Sequence, residues 1–120
     1  MTALYVAIGG AVGALARYGL GTTVSDDALP WVTVAINVAG SLLLGFLVSV
    51  ADWFSPEVRA GLAVGLLGGF TTFSTFSVDV FLDLEAGKGL EAAGYVVAST
   101  ALGVGAAAAG YYAGRAVAGS

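Results

Sequence analysis

A stretch of glycine, hydroxyl and phenylalanine residues interrupts the third of four apolar segments in this sequence. It reads Gly68-Gly69-Phe70-Thr71-Thr72-Phe73-Ser74-Thr75-Phe76-Ser77. Each of the two adjacent glycines weakens a helix by about 1 kcal/mol relative to alanine. Backbone that leaves the helical ladder at membrane depth is tolerated only where protein or water surrounds it. We therefore expect a broken helix that faces a protein interior, where carbonyl and hydroxyl oxygens are available to an ion.

Composition sets the class of protein. The 120 residues are 58% hydrophobic and only 10% charged, whereas a soluble domain carries about 25% charged residues. The sequence contains no cysteine and no histidine, which excludes disulfides and both Ser-His-Asp and Cys-His catalysis. A net charge of −4 without a basic cluster argues against nucleic acid as a partner. These features predict an integral membrane protein that is not an enzyme.

The apolar segments predict a single all-α transmembrane domain over residues 1–120. Its four helices are expected at about residues 3–24, 31–51, 57–84 and 90–117, each long enough to supply the ~20 residues that a membrane span needs. The third is expected to be broken near Gly68–Thr72. Two basic residues flank the spans at each end, which gives no orientation preference under the positive-inside rule. Because four helices cannot easily enclose a pore and also shield it from lipid, we expect an antiparallel dual-topology dimer.

Two polar residues in the first two segments each have two possible roles. Arg17 can snorkel to the interface, or it can pair with an acid or with carbonyls inside the protein; a structural role is favoured. Asn37 is the only amide side chain in the chain. It can join helices by hydrogen bonding, or it can present a polar group to a pore.

Aromatic and hydroxyl side chains in the third and fourth segments could serve an anion. Phe73 and Phe76 share a helix face if the helix resumes there, and phenyl edges carry the positive side of the ring quadrupole. The alternative is that they are core phenylalanines beside hydroxyls bonded to their own helix. Tyr95, Ser99 and Gly103 lie on one stripe of the fourth segment, which indicates a polar-facing side.

The sequence resembles the Fluc/CrcB family of small fluoride ion channels over essentially its whole length. The matching motifs are Gly9-Gly10-x-x-Gly13-Ala14-x-x-Arg17-Tyr18, then Asn37-x-x-Gly40 with Gly45, and the stretch Gly68 to Ser77. The resemblance implies passive export of fluoride across the plasma membrane, which relieves fluoride toxicity. It also implies an antiparallel homodimer with two pores, although some members are heterodimers of two paralogues.

The resemblance implies roles for individual residues. Arg17 corresponds to an arginine near the vestibule, and the backbone carbonyls of Gly68 and Thr71 correspond to ligands of a central structural Na⁺. Gly103 stands where a further serine often continues the polar track, so this chain lacks one hydroxyl of the pattern. The residues that the resemblance places along the ion path are Asn37, Phe73, Ser74, Thr75, Phe76, Tyr95 and Ser99.

Two other classes of membrane protein are alternatives to a channel. A proton-coupled exporter of the small multidrug-resistance kind needs an ionisable residue at membrane depth. The first segment has no acidic residue, and Asp79 and Asp83 lie late in the third. An assembly subunit without transport activity would tolerate substitution of Phe73 and Phe76.

Overall fold

Four long helices form the protein, with the third interrupted near its middle. The computed structural model describes residues 1–119, apart from the side chains of Asp27 and Leu29. The helices are α1 (Thr2–Thr22), α2 (Leu29–Ser49), α3 (Pro56–Ala60), a π-helical segment (Gly61–Leu67), α4 (Gly68–Phe70), α5 (Ser74–Glu85) and α6 (Gly89–Ala118). Single 3₁₀ turns, Asp26–Ala28 and Ala51–Trp53, precede and follow α2.

Four stretches of the described chain are long and apolar enough to cross a membrane: Thr2–Thr22, Pro30–Ser49, Pro56–Glu85 and Gly89–Ala118. This confirms the predicted all-helical fold with four spans. Few large side chains are fully enclosed, and apolar side chains such as Leu15 and Val104 lie on the outer surface. An apolar exterior of this kind suits contact with lipid or with another apolar surface.

Local sequence explains where the helices begin and turn. Ser55 caps α3, because its Oγ accepts a hydrogen bond of 3.3 Å from the Val58 N–H, and Pro56 follows in the first turn. Gly87 adopts a φ of 77° between α5 and α6, a left-handed conformation that glycine adopts without steric cost.

Glycines allow the helices to pack backbone against backbone. The α2 helix packs chiefly on α6, and α1 packs chiefly on the π-helical segment. A Cβ atom at Gly110 would meet the carbonyl group of Leu42 on α2, and one at Gly13 would meet that of Leu66. These close approaches fix α6 against α2 and α1 against the broken third helix.

The break begins two residues after the glycine pair that suggested it. Gly68 and Gly69 remain helical, and the chain leaves the helix at Thr71, whose backbone is extended (φ −84°, ψ 160°). Helix resumes at Ser74. The predicted interruption near Gly68–Thr72 is therefore confirmed, with its non-helical residues at positions 71–73. The π-helical turns before the break, in which the Gly68 N–H bonds to the Ala63 carbonyl five residues back, were not predicted.

Candidate functional site

The side chain of Asn37 holds the break in the third helix open. Its Nδ2 donates to the Thr72 carbonyl (2.9 Å), and its Oδ1 accepts from the Thr72 N–H (2.8 Å). In a continuous helix that N–H would bond to the carbonyl of Gly68, four residues earlier. Asn37 therefore replaces one rung of the helical ladder and joins α2 to the broken helix. Its other interpretation, a polar group presented to a pore, stays a prediction.

Thr72 itself starts the second half of the broken helix. Its Oγ1 accepts a hydrogen bond of 3.3 Å from the Thr75 N–H, as a capping hydroxyl does at a helix N-terminus. In a continuous helix the Thr75 N–H would bond to the Thr71 carbonyl. The side chains of Asn37 and Thr72 thus take the two N–H donors that would otherwise engage Gly68 and Thr71. Within residues 1–119 the carbonyl oxygens of Gly68 and Thr71 accept no hydrogen bond.

Arg17 joins α1 to the same region. Its Nε donates to the carbonyl of Gly69 at 3.2 Å, and the side chain is partly buried. The structure thus places the Arg17 side chain against a backbone carbonyl. This agrees with the interpretation in which Arg17 pairs with carbonyls inside the protein. The contact ties α1 to the last helical turn before the break.

A cavity of about 360 Å³ opens beside the break, and six of the residues predicted to contact an ion line it. These are Asn37, Gly68, Thr71, Phe73, Phe76 and Ser99. The other described lining residues are Gly40, Ser41, Leu44, Ala63, Leu67, Thr72, Thr100 and Gly103. None of these fourteen side chains is charged. The wall therefore combines one amide and several hydroxyl groups with apolar and aromatic surface.

Aromatic rings extend from the cavity into the protein. The ring centroids of Phe73 and Phe76 are 6.0 Å apart, and those of Phe76 and Tyr95 are 5.0 Å apart with the ring planes at 89°. Phe73 is 78% exposed in the single chain, whereas Tyr95 is 3% exposed. Phe73 therefore presents its ring at the open side of the cavity, and Tyr95 supports Phe76 from within.

The polar stripe on α6 is divided between two environments. Tyr95 is buried, and its hydroxyl donates to Oδ2 of Asp79 at 3.3 Å. The Oγ of Ser99 is also buried but has no hydrogen-bond partner in the described part of the chain. Tyr95 is absent from the cavity wall, which Ser99 and Gly103 line. Only the second half of the stripe thus faces the cavity.

Ser74 and Thr75 do not share that cavity. They line a separate one of about 270 Å³ together with Val78 and Asp79. Because the helix resumes at Ser74, these two side chains project from the first turn of α5 to a different side from Phe73. Six of the seven predicted ion-path residues therefore fall into two groups, and Tyr95 lines neither cavity.

Several residues at the site were not singled out from the sequence. Thr72 makes the backbone bridge to Asn37, while Ser41 and Thr100 line the larger cavity. Spacing offered a signal for Ser41, since it lies four residues after Asn37 and so shares its helix face. For Asp79 the only signal in the sequence was its charge within an apolar segment. No cluster of three carboxylate, histidine or cysteine side chains that could hold a metal occurs among the described residues.

The fold and the cavity together define an integral membrane protein with four spans and an uncharged polar site at a broken helix. A family model described as "CrcB-like protein, Camphor Resistance (CrcB)" matches residues 4–111. The chain belongs to the CrcB family, which confirms the resemblance found in its motifs, and it is a multi-pass membrane protein.

Curated relatives align with most of the chain. The fluoride-specific ion channel FluC of Rhodospirillum centenum is 50% identical over 109 residues, covering 85% of this chain and 86% of the relative. The FluC of Geobacter sulfurreducens is 47% identical over 107 residues (84% and 86%), and that of Nitrobacter winogradskyi is 45% identical over 113 residues (89% and 90%). The names of these relatives describe transport proteins and not enzymes.

Proposed function

We propose that this protein is a fluoride-selective channel through which F⁻ leaves the cell passively across the plasma membrane, relieving fluoride toxicity. The observation that carries the proposal is the uncharged polar cavity beside the break between α4 and α5. Its wall offers the Asn37 amide, the unbonded Ser99 hydroxyl and two phenyl rings. Relatives of 45–50% identity named fluoride-specific ion channels support the same assignment.

The chemistry of the wall suits a small, strongly hydrated anion. Conduction requires sites that replace part of the hydration shell but release the ion again. Hydroxyl and amide groups donate hydrogen bonds, and phenyl edges carry partial positive charge. A lysine or arginine in the wall would hold an anion more tightly and slow its release. The absence of charge among the described lining residues therefore favours passage over retention.

The proposed ion path uses residues from both cavities. Phe73, Phe76, Asn37 and Ser99 belong to the larger cavity, while Ser74 and Thr75 belong to the smaller one. Tyr95 supports Phe76 from behind by edge-to-face packing at 5.0 Å. In this proposal Tyr95 contributes at the end of the polar track, beside Asp79. Arg17 acts at the vestibule by holding the carbonyl of Gly69.

The channel is proposed to be an antiparallel dual-topology homodimer with two pores. The cavity is open on one side, and Phe73 at its mouth is 78% exposed. A second copy could cover this mouth, and two copies would supply two equivalent cavities. A heterodimer with a paralogue is the alternative. Blue-native electrophoresis of the chain expressed alone should show a dimer, and a monomer as the sole species would contradict the homodimer.

The carbonyl oxygens of Gly68 and Thr71 are proposed to hold a structural Na⁺ between the two copies. Backbone carbonyls at unwound helices are suitable Na⁺ ligands, and the side chains of Asn37 and Thr72 occupy the donors that would otherwise engage these two oxygens. Thermal unfolding in detergent tests this proposal. The dimer should melt at a lower temperature when N-methylglucamine replaces Na⁺, and an unchanged melting temperature would contradict a structural Na⁺.

Fluoride efflux from proteoliposomes that contain only this chain tests the proposed function. The account predicts rapid efflux down a fluoride gradient, without a pH gradient and without a matching efflux of chloride. A proton-coupled exporter would instead require a pH gradient. Efflux that depends on a pH gradient, or equal efflux of both anions, would contradict a passive fluoride-selective channel.

A further inference from the structure

We propose that Ser41 on α2 supplies an ion-path hydroxyl at the level of Gly103, where the polar stripe on α6 has no side chain. The proposal rests on the function proposed above and assigns a specific residue to that path. Ser41 and Gly103 both line the cavity of about 360 Å³. The polar lining therefore crosses from one helix to the other instead of continuing along α6.

The position of the Ser41 hydroxyl relative to Gly103 carries the proposal. A Cβ atom added to Gly103 would lie 3.9 Å from Oγ of Ser41, which is the sole described heavy atom within 4 Å of it apart from the adjoining residues and backbone of α6. The Ser41 hydroxyl thus borders the space into which a side chain at position 103 would project. Glycine at position 103 leaves this hydroxyl open to the cavity.

The hydrogen bonding of Ser41 is the second observation. Hydroxyl groups inside helices commonly bond to a carbonyl three or four residues earlier. Ser49 does so with Phe46 (2.7 Å), and Thr71 does so with Leu67 (2.9 Å). Within the described chain no such bond is formed by the Ser41 hydroxyl, and Ser99 Oγ across the cavity likewise has no partner. Both hydroxyls therefore keep a donor for an ion or a water molecule.

Spacing places Ser41 in line with the other polar groups of the cavity. Asn37 and Ser41 are one helical turn apart on α2, and Ser99 and Gly103 are one turn apart on α6. The α2 and α6 helices pack tightly against each other, since a Cβ at Gly45 would meet the Ala107 backbone. An anion leaving Ser99 would thus find its next hydroxyl on α2.

The test measures fluoride efflux from proteoliposomes containing Ser41→Ala, Ser49→Ala or the double variant Ser41→Ala/Gly103→Ser. Ser41→Ala should slow efflux roughly tenfold, as expected for the loss of one hydrogen bond to the ion. Ser49→Ala is the matched control, because its hydroxyl is bonded to its own helix, and its rate should be that of the wild type. The double variant should recover most of the rate, because it returns a hydroxyl to the same level of the cavity.

Folding is checked by thermal unfolding of each variant in detergent. Ser41→Ala removes a hydroxyl that has no hydrogen-bond partner among the described residues, and a Cβ at position 103 makes only an ordinary van der Waals contact. A wild-type rate for a folded Ser41→Ala would overturn the proposal. If Ser41→Ala slowed fluoride efflux and the added Gly103→Ser substitution did not restore the rate, the two positions would not be equivalent. If the wild-type chain itself showed no fluoride efflux, the proposed function would fail instead.

Discussion

Asn37 binds both backbone groups of Thr72, with its Nδ2 2.9 Å from the carbonyl oxygen and its Oδ1 2.8 Å from the amide nitrogen. One side chain on α2 therefore provides hydrogen-bond partners for two backbone groups that have none in the broken third helix. An unsatisfied peptide group is expensive in a membrane. The bridge explains how a three-residue gap can persist between α4 and α5.

Replacing Asn37 should destabilise the break. Asn37→Ala leaves the Thr72 N–H and carbonyl without partners, which costs about 1–3 kcal/mol for each buried group. We expect a lower melting temperature in detergent together with slower fluoride efflux. Ser49→Ala, which removes a hydroxyl bonded only to Phe46 of its own helix, is the control. A fully stable Asn37→Ala protein would show that the bridge does not hold the break.

Arg17 provides a test of hydrogen bonding against charge. Arg17→Gln removes the charge but keeps an N–H donor at the same number of bonds from the backbone as Nε of arginine. Arg17→Met has a side chain of similar length but no hydrogen-bond donor. Because Nε donates to the Gly69 carbonyl at 3.2 Å, Arg17→Met should be less stable by about 1 kcal/mol, with Arg17→Gln near the wild type. Equal destabilisation of both variants in thermal unfolding would assign the role to charge.

The packing of α6 on α2 predicts opposite effects for two glycine substitutions on one helix. A Cβ at Gly110 would collide with the Leu42 carbonyl, whereas one at Gly94 has no neighbouring atom within 4 Å. Gly110→Ala should lower the free energy of unfolding by about 1–3 kcal/mol. Gly94→Ala should be neutral or stabilising by up to about 1 kcal/mol, as alanine favours helix. Similar melting temperatures for the two variants would contradict this packing.

Sequence predicted the four spans because apolar composition and length determine them, and it predicted a break because adjacent glycines and hydroxyl residues disfavour a regular lipid-facing helix. The position of the break at residues 71–73 could not be predicted from helix propensity. It depends on Asn37, thirty-five residues earlier, which captures Thr72. The π-helical turns pack against Gly9 and Gly13 of α1, contacts that the local sequence does not indicate.

The candidate site was predictable only in part. The pairing of Phe73 with Phe76 followed from their spacing of three residues, and their rings lie 6.0 Å apart. The separation of Ser74 and Thr75 into a second cavity depends on where helix resumes, which spacing alone does not determine. The bond from Tyr95 to Asp79 joins two helices, and no local pattern indicates it.

The most direct test of the account compares fluoride efflux from liposomes containing the wild-type chain with efflux from liposomes containing Phe73→Ile, both read with a fluoride electrode. Phe73 is 78% exposed in the single chain, so the variant should fold while losing a ring edge at the mouth of the cavity. The account predicts rapid efflux for the wild type and its loss in the variant, with no chloride efflux from either. Unchanged fluoride efflux from folded Phe73→Ile would contradict an ion path along this aromatic pair.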